Sequence, residues 1–324
     1  MPVQTTFDFD AMLSSAKEAY GEVLLELADE GVEFVFTYTD NVAPSTTAGA
    51  LVKKYPERCF NFGIAEPNQV GASCGLALAT GLPVFSQVFG PFLSLRAADQ
   101  IHTDIAYNDV NVRLIGTHSG ATACGGPTHN TIADLALYRA IPNLTVCVPA
   151  DAGQCKKFIR ASIGYQGPMI IRIDRGGSPN VYADTDYDFE IGKAIEVEVA
   201  EGKDVTIISC GTFLYWSLMA ARILKDKGVG ARLVDMHTIK PLDLAAIDRS
   251  ALSTGAIVTV EEASINGGLG SAVAERLAET GFGGKFCRIG LPDEFLVLGG
   301  LEEVYDYYGI SPEKIAARIL GLLG

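Results

Sequence analysis

The sequence predicts an α/β protein of two domains: a larger one with a parallel sheet and helices on both faces, then a smaller α/β unit. Three observations carry that expectation. Short apolar strands alternate with helical stretches along most of the chain, as parallel strands joined by crossover helices require. The alternation breaks between residues 175 and 190, where Gly-Gly-Ser-Pro-Asn runs into Asp-Thr-Asp-Tyr-Asp, a turn cluster leading into an acidic linker. The length, 324 residues, is also more than one hydrophobic core usually organises. The expected boundaries are a first domain at 1–180, a linker at 181–192 and a second domain at 193–324.

Residues 8–29 place Met12, Leu13, Ala16, Ala19, Tyr20, Val23, Leu24 and Leu27 on the stripe of an amphipathic helix. Phe34-Val35-Phe36 reads as a short buried strand. Residues 68–80 are small and apolar, which suits a helix packed so closely that only Gly, Ala, Ser and Cys fit. Gly81-Leu82-Pro83 ends that helix and Val84-Phe85 opens a strand. A strand at 112–115, a glycine-rich loop at 116–127, a helix at 132–140, a strand at 144–148, a helix at 152–163 and a strand at 169–173 follow. The second unit reads as a strand at 205–209, a helix at 215–227, strands at 231–236 and 256–260, and helices at 270–279 and 312–323.

Composition narrows the function. With 48% hydrophobic residues the chain is neither disordered nor collagen-like. Its 25 Lys and Arg against 39 Asp and Glu, a net charge of −14, make it a poor binder of phosphate backbones, so no nucleic-acid partner is expected. No apolar run reaches the ~20 residues of a membrane span, and the first ten residues lack the pattern of a secretory signal. The 7 cysteines are odd in number, widely spaced and form no CxxC pair, which fits reduced thiols in a cytoplasmic protein rather than disulfides or zinc.

Ligands of open α/β sheets bind beyond the carboxyl ends of the strands, which directs attention to residues 63–68, 89–100 and 117–129. Glu66 stands before an apolar helix, as a helix-capping glutamate or as a carboxylate that needs a partner. Phe89 and Phe92 have helical spacing, with Arg96 and Asp99 further along the same face, and read either as core or as a ligand wall. His118 and His129 share one glycine-rich loop, where a histidine can be a satisfied loop residue or a ligand contact. No Asp, Glu or Cys stands around them at metal-ligand spacing, so no metal is expected there. Asn266-Gly267-Gly268-Leu269-Gly270-Ser271 looks like a dinucleotide loop but lacks the full glycine spacing. Neither a G-x-S-x-G elbow nor a Walker loop is present.

Together these motifs are more specific than any one alone. Phe60-Asn-Phe-Gly-Ile-Ala-Glu66, Phe89 and Phe92, Arg96-Ala-Ala-Asp99-Gln100-Ile101, Gly-Thr-His118, Gly-Gly-Pro-Thr-His129, Arg172-Ile-Asp-Arg175, Val260-Glu261-Glu262 and Leu291-Pro-Asp-Glu-Phe295 occur in order. This set strongly resembles the C-terminal half of transketolase and of deoxyxylulose-phosphate synthase, over about residues 10–320. The resemblance implies a pyrimidine-binding thiamine-diphosphate fold followed by a transketolase C-terminal domain. It implies thiamine diphosphate as cofactor, with Mg²⁺ and the diphosphate held by a Gly-Asp-Gly motif that this sequence does not contain. The expected partner is therefore an N-terminal transketolase subunit, with self-association through the pyrimidine-binding domain, as in a split transketolase heterotetramer.

By the same resemblance Glu66 hydrogen-bonds the cofactor pyrimidine, shielded by Phe62, Phe89 and Phe92, with Phe92 stacking on the ring and Asn41 in the cofactor-binding set. His118 and His129 lie near the substrate, and His118, Arg175 and Ser45 contact its phosphate, a terminal phosphate suiting the guanidinium fork. The implied activity is transfer of a two-carbon ketol unit between sugar phosphates. Two positions depart from the family pattern: Asn41 stands where an Asp is usual, and Gly125 replaces an acidic residue that would read an acceptor hydroxyl, which points to a branched or otherwise atypical substrate. Competing readings are a deoxyxylulose-phosphate synthase-like or 2-oxo acid dehydrogenase beta-like subunit, and a non-catalytic dimerisation scaffold.

Overall fold

The computed structural model describes residues 13–121, 126–176, 178–182, 187–197 and 202–324. Strands are β1 (Leu13–Ser14), β2 (Val35–Tyr38), β3 (Cys59–Asn61), β4 (Val84–Phe89), β5 (Val112–Thr117), β6 (Thr145–Cys147), β7 (Met169–Arg172), β8 (Ser178–Pro179), β9 (Ile195–Val197), β10 (Val205–Ser209), β11 (Ala231–Asp235), β12 (Thr238–Lys240), β13 (Ala256–Ser264) and β14 (Lys285–Leu291). Helices are α1 (Ala16–Asp29), α2 (Thr47–Lys54), α3 (Glu66–Thr80), α4 (Ala98–Gln100), α5 (Asp134–Ala140), α6 (Ala152–Ser162), α7 (Phe213–Asp226), α8 (Leu244–Ser253), α9 (Leu269–Thr280), α10 (Leu301–Tyr307) and α11 (Pro312–Leu323).

The first sheet runs β12-β6-β7-β5-β4-β2-β3 and is parallel except where β12 lies antiparallel on β6. The second runs β14-β13-β10-β11-β9, parallel except for β9. The expected α/β class with parallel sheets is what the structure has. Strands buried on both sides read as continuous apolar runs, and Val112–Thr117 is buried at all six positions.

Several elements differ from the sequence expectation. The helix expected over 8–29 starts at Ala16 among the described residues, because the Ser15 hydroxyl accepts from Glu18 N–H and caps it there. Phe89 is the last residue of β4 and Phe92 opens a π-helical turn, Phe92–Arg96, so the two do not share a helix face. The small residues of α3 do not all mark close packing: Gly71 leaves room for the Asp104 carboxylate, but a side chain at Gly75 would meet open space and Leu78 is exposed. Strands β3, β9, β12 and β14 and helices α2, α8 and α10 carry too short or too mixed a pattern to be read from periodicity alone.

The two sheets are joined by buried polar contacts. Strand β12, from the second half of the chain, completes the first sheet against β6. Arg172, at the end of β7, donates from Nε to Asp134 Oδ2 at 2.7 Å and from Nη2 to the Glu262 carbonyl at 2.8 Å. The Glu262 carboxylate accepts from Ala121 N–H and Tyr305 O–H. Gly120, at φ +84°, must be glycine here, since a Cβ would lie 2.3 Å from that carboxylate. Gly268 is explained the same way, while a Cβ on Gly267, at φ +88°, would lie 2.5 Å from Ala136 Cβ. Glu261 accepts from the N–H groups of Leu269 and Gly270, both at 2.7 Å, and a Cβ on Gly268 would sit 2.0 Å from its Oε2. The N-terminus of α9 is thus capped by the chain's own carboxylate, and the run is not built as a dinucleotide loop.

Candidate active site

Asn41 and Ser45 follow β2, Phe62 and Glu66 follow β3, Phe89 ends β4 with Phe92 just beyond, His118 and His129 follow β5, and Arg175 follows β7. These strands are parallel neighbours, so all of these residues gather at the carboxyl edge of one sheet, the place where this architecture leaves a crevice.

Glu66 is the first residue of α3, and its side chain is buried. It does not act as a helix cap. Its carboxylate instead takes Arg96 Nη1 at 3.0 Å on Oε1 and 2.9 Å on Oε2. The Arg96 guanidinium also lies 4.2 Å from the Phe92 ring centroid, a cation–π arrangement. A buried carboxylate needs such a partner, and Arg96 is the residue whose role the sequence reading missed. Its signal was present, since the spacing from Phe92 put the two on one side of a helical turn.

The aromatic wall is continuous. The Phe89 and Phe92 ring centroids stand 6.1 Å apart, Phe89 lies 3.9 Å from the His118 ring, and Phe92 meets His129 edge-on at 5.2 Å. His118 adopts φ +62°, uncommon for a non-glycine residue. Burial pushes its imidazole down to about 4, and the positive charges of Lys17, Arg175 and His129 add to this. Lys17, in the first turn of α1, is a second cation that sequence reading missed, because α1 lies far from the loop in sequence.

The remaining predicted residues are placed less tightly. Phe62 is half-buried, its N–H donating to the Tyr38 carbonyl. Asn41 is half-buried, with an Oδ1 that is sealed from solvent and has no partner among the described residues. Ser45 and Arg175 are exposed at the rim. Gly125 lies outside the described residues. No group of three or more His, Cys, Asp or Glu side chains suited to a metal stands together among the described residues, and no helix among them is long and apolar enough to cross a membrane.

The family model described as "Transketolase, pyrimidine binding domain" matches residues 14–179, and that described as "Transketolase, C-terminal domain" matches residues 193–315. The chain belongs to the transketolase family. Among similar transketolase-family proteins is one of Methanocaldococcus jannaschii, named provisionally as a transketolase C-terminal section, 40% identical and covering 94% of this chain and 95% of its own. Another is a subunit of the apulose-4-phosphate transketolase of Phocaeicola vulgatus, 38% identical over 94% of this chain and 96% of that protein. A solved structure titled as a split gene transketolase, inactive beta4 tetramer, superposes with a TM-score of 0.87 at 36% identity, covering 96% of this chain and 98% of that one. The 1-deoxy-D-xylulose-5-phosphate synthase of Dictyoglomus turgidum is 34% identical, but the chain spans only 49% of its length.

Proposed function

We propose that this chain is the small subunit of a two-subunit transketolase, transferring a two-carbon ketol unit between sugar phosphates with thiamine diphosphate. The observation that carries the reading is the buried Glu66 carboxylate beside the Phe92 face at the sheet's carboxyl edge. Relatives matched along nearly their whole length, and named as transketolase sections or subunits, support it.

The acceptor set fits the pyrimidine end of the cofactor. A carboxylate, an unpartnered buried acceptor at Asn41 Oδ1 and an aromatic face are what an aminopyrimidine with N–H donors calls for. Thiamine diphosphate, when bound, supplies the carbon nucleophile for the ketol fragment. Glu66 would hold and release a proton at its carboxylate oxygen toward the pyrimidine nitrogen, and Phe89 and Phe92 would exclude water from that contact. In the chain as it stands Arg96 engages both features, and a pyrimidine stacking on the same face of Phe92 would displace its guanidinium.

Substrate phosphate would be met by His118 and Arg175, with Ser45 at the rim and Lys17 adding positive charge; His129 stands nearer the reacting centre. The Mg²⁺ and diphosphate end belongs, in this reading, to an N-terminal partner subunit. Self-association would use the face around α3, where Phe60, Ile64, Leu78, Leu95 and Tyr107 are exposed. Free thiols at Cys59, Cys74, Cys147, Cys155, Cys210 and Cys287 suit a cytoplasmic setting.

The test is reconstitution. Calorimetry with thiamine diphosphate and Mg²⁺ should give no tight binding to this chain alone and micromolar or better affinity, with ketol transfer, once the N-terminal subunit is added. Tight binding and turnover by the chain alone would overturn the split reading. Turnover of pyruvate with glyceraldehyde phosphate, in place of ketol transfer, would favour the synthase-like reading that the Dictyoglomus turgidum relative keeps open.

A further inference from the structure

His118 does not stand alone. Its Nδ1 lies 3.2 Å from Thr117 Oγ1, and Thr117 Oγ1 lies 3.2 Å from Gln87 Nε2. All three side chains are buried: Gln87 is 1% exposed, Thr117 0% and His118 8%. Gln87 lies outside the motifs that carry the transketolase resemblance, and Thr117 enters them only as the residue before His118, with no role given to it.

The order of donors along this chain is constrained by valence. An amide nitrogen has only hydrogens to offer, so Gln87 Nε2 donates and Thr117 Oγ1 accepts. The threonine hydroxyl keeps its own hydrogen, and His118 Nδ1 is the other polar atom in its reach among the described residues. When that hydrogen goes to Nδ1, Nδ1 is the lone-pair nitrogen, and a neutral imidazole then carries its proton on Nε2. The opposite amide orientation would set Gln87 Oε1 against Thr117, draw the hydroxyl hydrogen away and make Nδ1 the donor. The orientation present sets Gln87 Nε2 on Thr117 Oγ1 and so gives the first arrangement.

We propose that Gln87 and Thr117 are positioning residues that fix His118 as its Nε2–H tautomer, so that it offers an uncharged hydrogen-bond donor to an anionic oxygen of a sugar phosphate. Burial keeps this imidazole neutral, with its protonation pushed down to about 4, so the tautomer rather than the charge decides what the ring can do. Charge at the site then comes from Arg175 and Lys17, while His118 supplies direction. The kinetic consequence rests on the reading of His118 as a substrate contact; the tautomer does not.

The experiment uses the full chain labelled with ¹⁵N-histidine. It has only four histidines, and the His118 resonances are the ones lost in His118→Gln. Long-range ¹H–¹⁵N correlation at neutral pH should show Nδ1 unprotonated and Nε2 protonated. A predominant Nδ1–H form would overturn the proposal. Thr117→Val, which keeps the shape and removes the hydroxyl, should give a mixture of tautomers, and Thr117→Ser should restore the single form. An unchanged single tautomer in Thr117→Val would equally overturn it. Gln87→Met, which removes the donor without burying a charge, should also mix the tautomers, and serves if the valine variant fails to fold. In the reconstituted complex Thr117→Val should raise KM for the phosphorylated acceptor about 10-fold with kcat little changed, and Thr117→Ser should recover it. Tautomers that behave as expected beside an unchanged KM would instead remove His118 from the phosphate site and leave the positioning intact.

Discussion

Arg96 Nη1 stands within 3.0 Å of both carboxylate oxygens of Glu66, so the buried acid at the head of α3 is held by a cation from the turn after β4. The Glu66 side chain is 3% exposed and that of Arg96 48%, which places the pair between a surface bridge and a sealed one.

Arg96→Met should therefore cost about 1–3 kcal/mol of folding stability, more than a surface ion pair is worth, because it leaves a buried carboxylate without its counter-charge. The double variant Arg96→Met with Glu66→Gln should recover most of that loss. Urea unfolding of the four chains forms the cycle, and a coupling below ~0.3 kcal/mol would show that the pair does not act as a unit.

Glu66→Gln in the reconstituted complex should leave the fold intact and lower kcat at least ~10²-fold, since an amide cannot pass a proton to the pyrimidine nitrogen. Exchange of the cofactor C2 proton, followed by NMR in the same complex, should slow in parallel. Exchange at the wild-type rate would take the proton-transfer role away from this residue.

In the proposed reading Gly125 takes the place of an acid that would read an acceptor hydroxyl. We expect the wild-type complex to discriminate poorly for the 2-hydroxyl of aldose phosphates, and Gly125→Asp to shift the kcat/KM ratio toward hydroxylated acceptors by about 5- to 150-fold. That corresponds to about 1–3 kcal/mol for a hydrogen bond to a charged group. A wild type that already prefers the hydroxylated acceptor strongly, with an unchanged ratio in the variant, would locate selectivity elsewhere.

Asp235 ties β11 of the second sheet to helix α6 and the segment after β8: its Oδ2 accepts from Gln154 Nε2 at 2.7 Å and from Tyr182 O–H at 2.6 Å. Burial pushes its carboxyl from 3.8 up to about 7, outweighing these two hydrogen bonds. The folded state thus holds a proton that the unfolded state releases, so this contribution is present at acid pH and is lost as pH rises from about 4 through about 7. Thermal unfolding should show the wild-type Tm falling relative to Asp235→Asn between pH 5 and pH 8. Parallel profiles would show that Asp235 is not the titrating group.

Much of the fold was legible because buried parallel strands and crossover helices print their burial on the sequence. β5, β10 and α11 lie where apolar runs and stripes put them. Glu66, Phe89, Phe92, His118 and His129 could be singled out because each ends or follows a strand in a glycine-bearing segment, and such segments meet at one sheet edge.

What the sequence by itself determined is therefore the class of fold, the alternation of its elements and the residue types at the strand ends, since period and composition report which side of an element is buried. Only the tertiary structure decided the partners. Arg96 on Glu66, Lys17 near His118, Gln87 behind Thr117 and β12 against β6 each depend on contacts across loops and sheets. The physical reason is that burial leaves a local pattern in the chain, whereas a hydrogen bond or ion pair between distant residues leaves none until folding brings its two ends within about 3 Å.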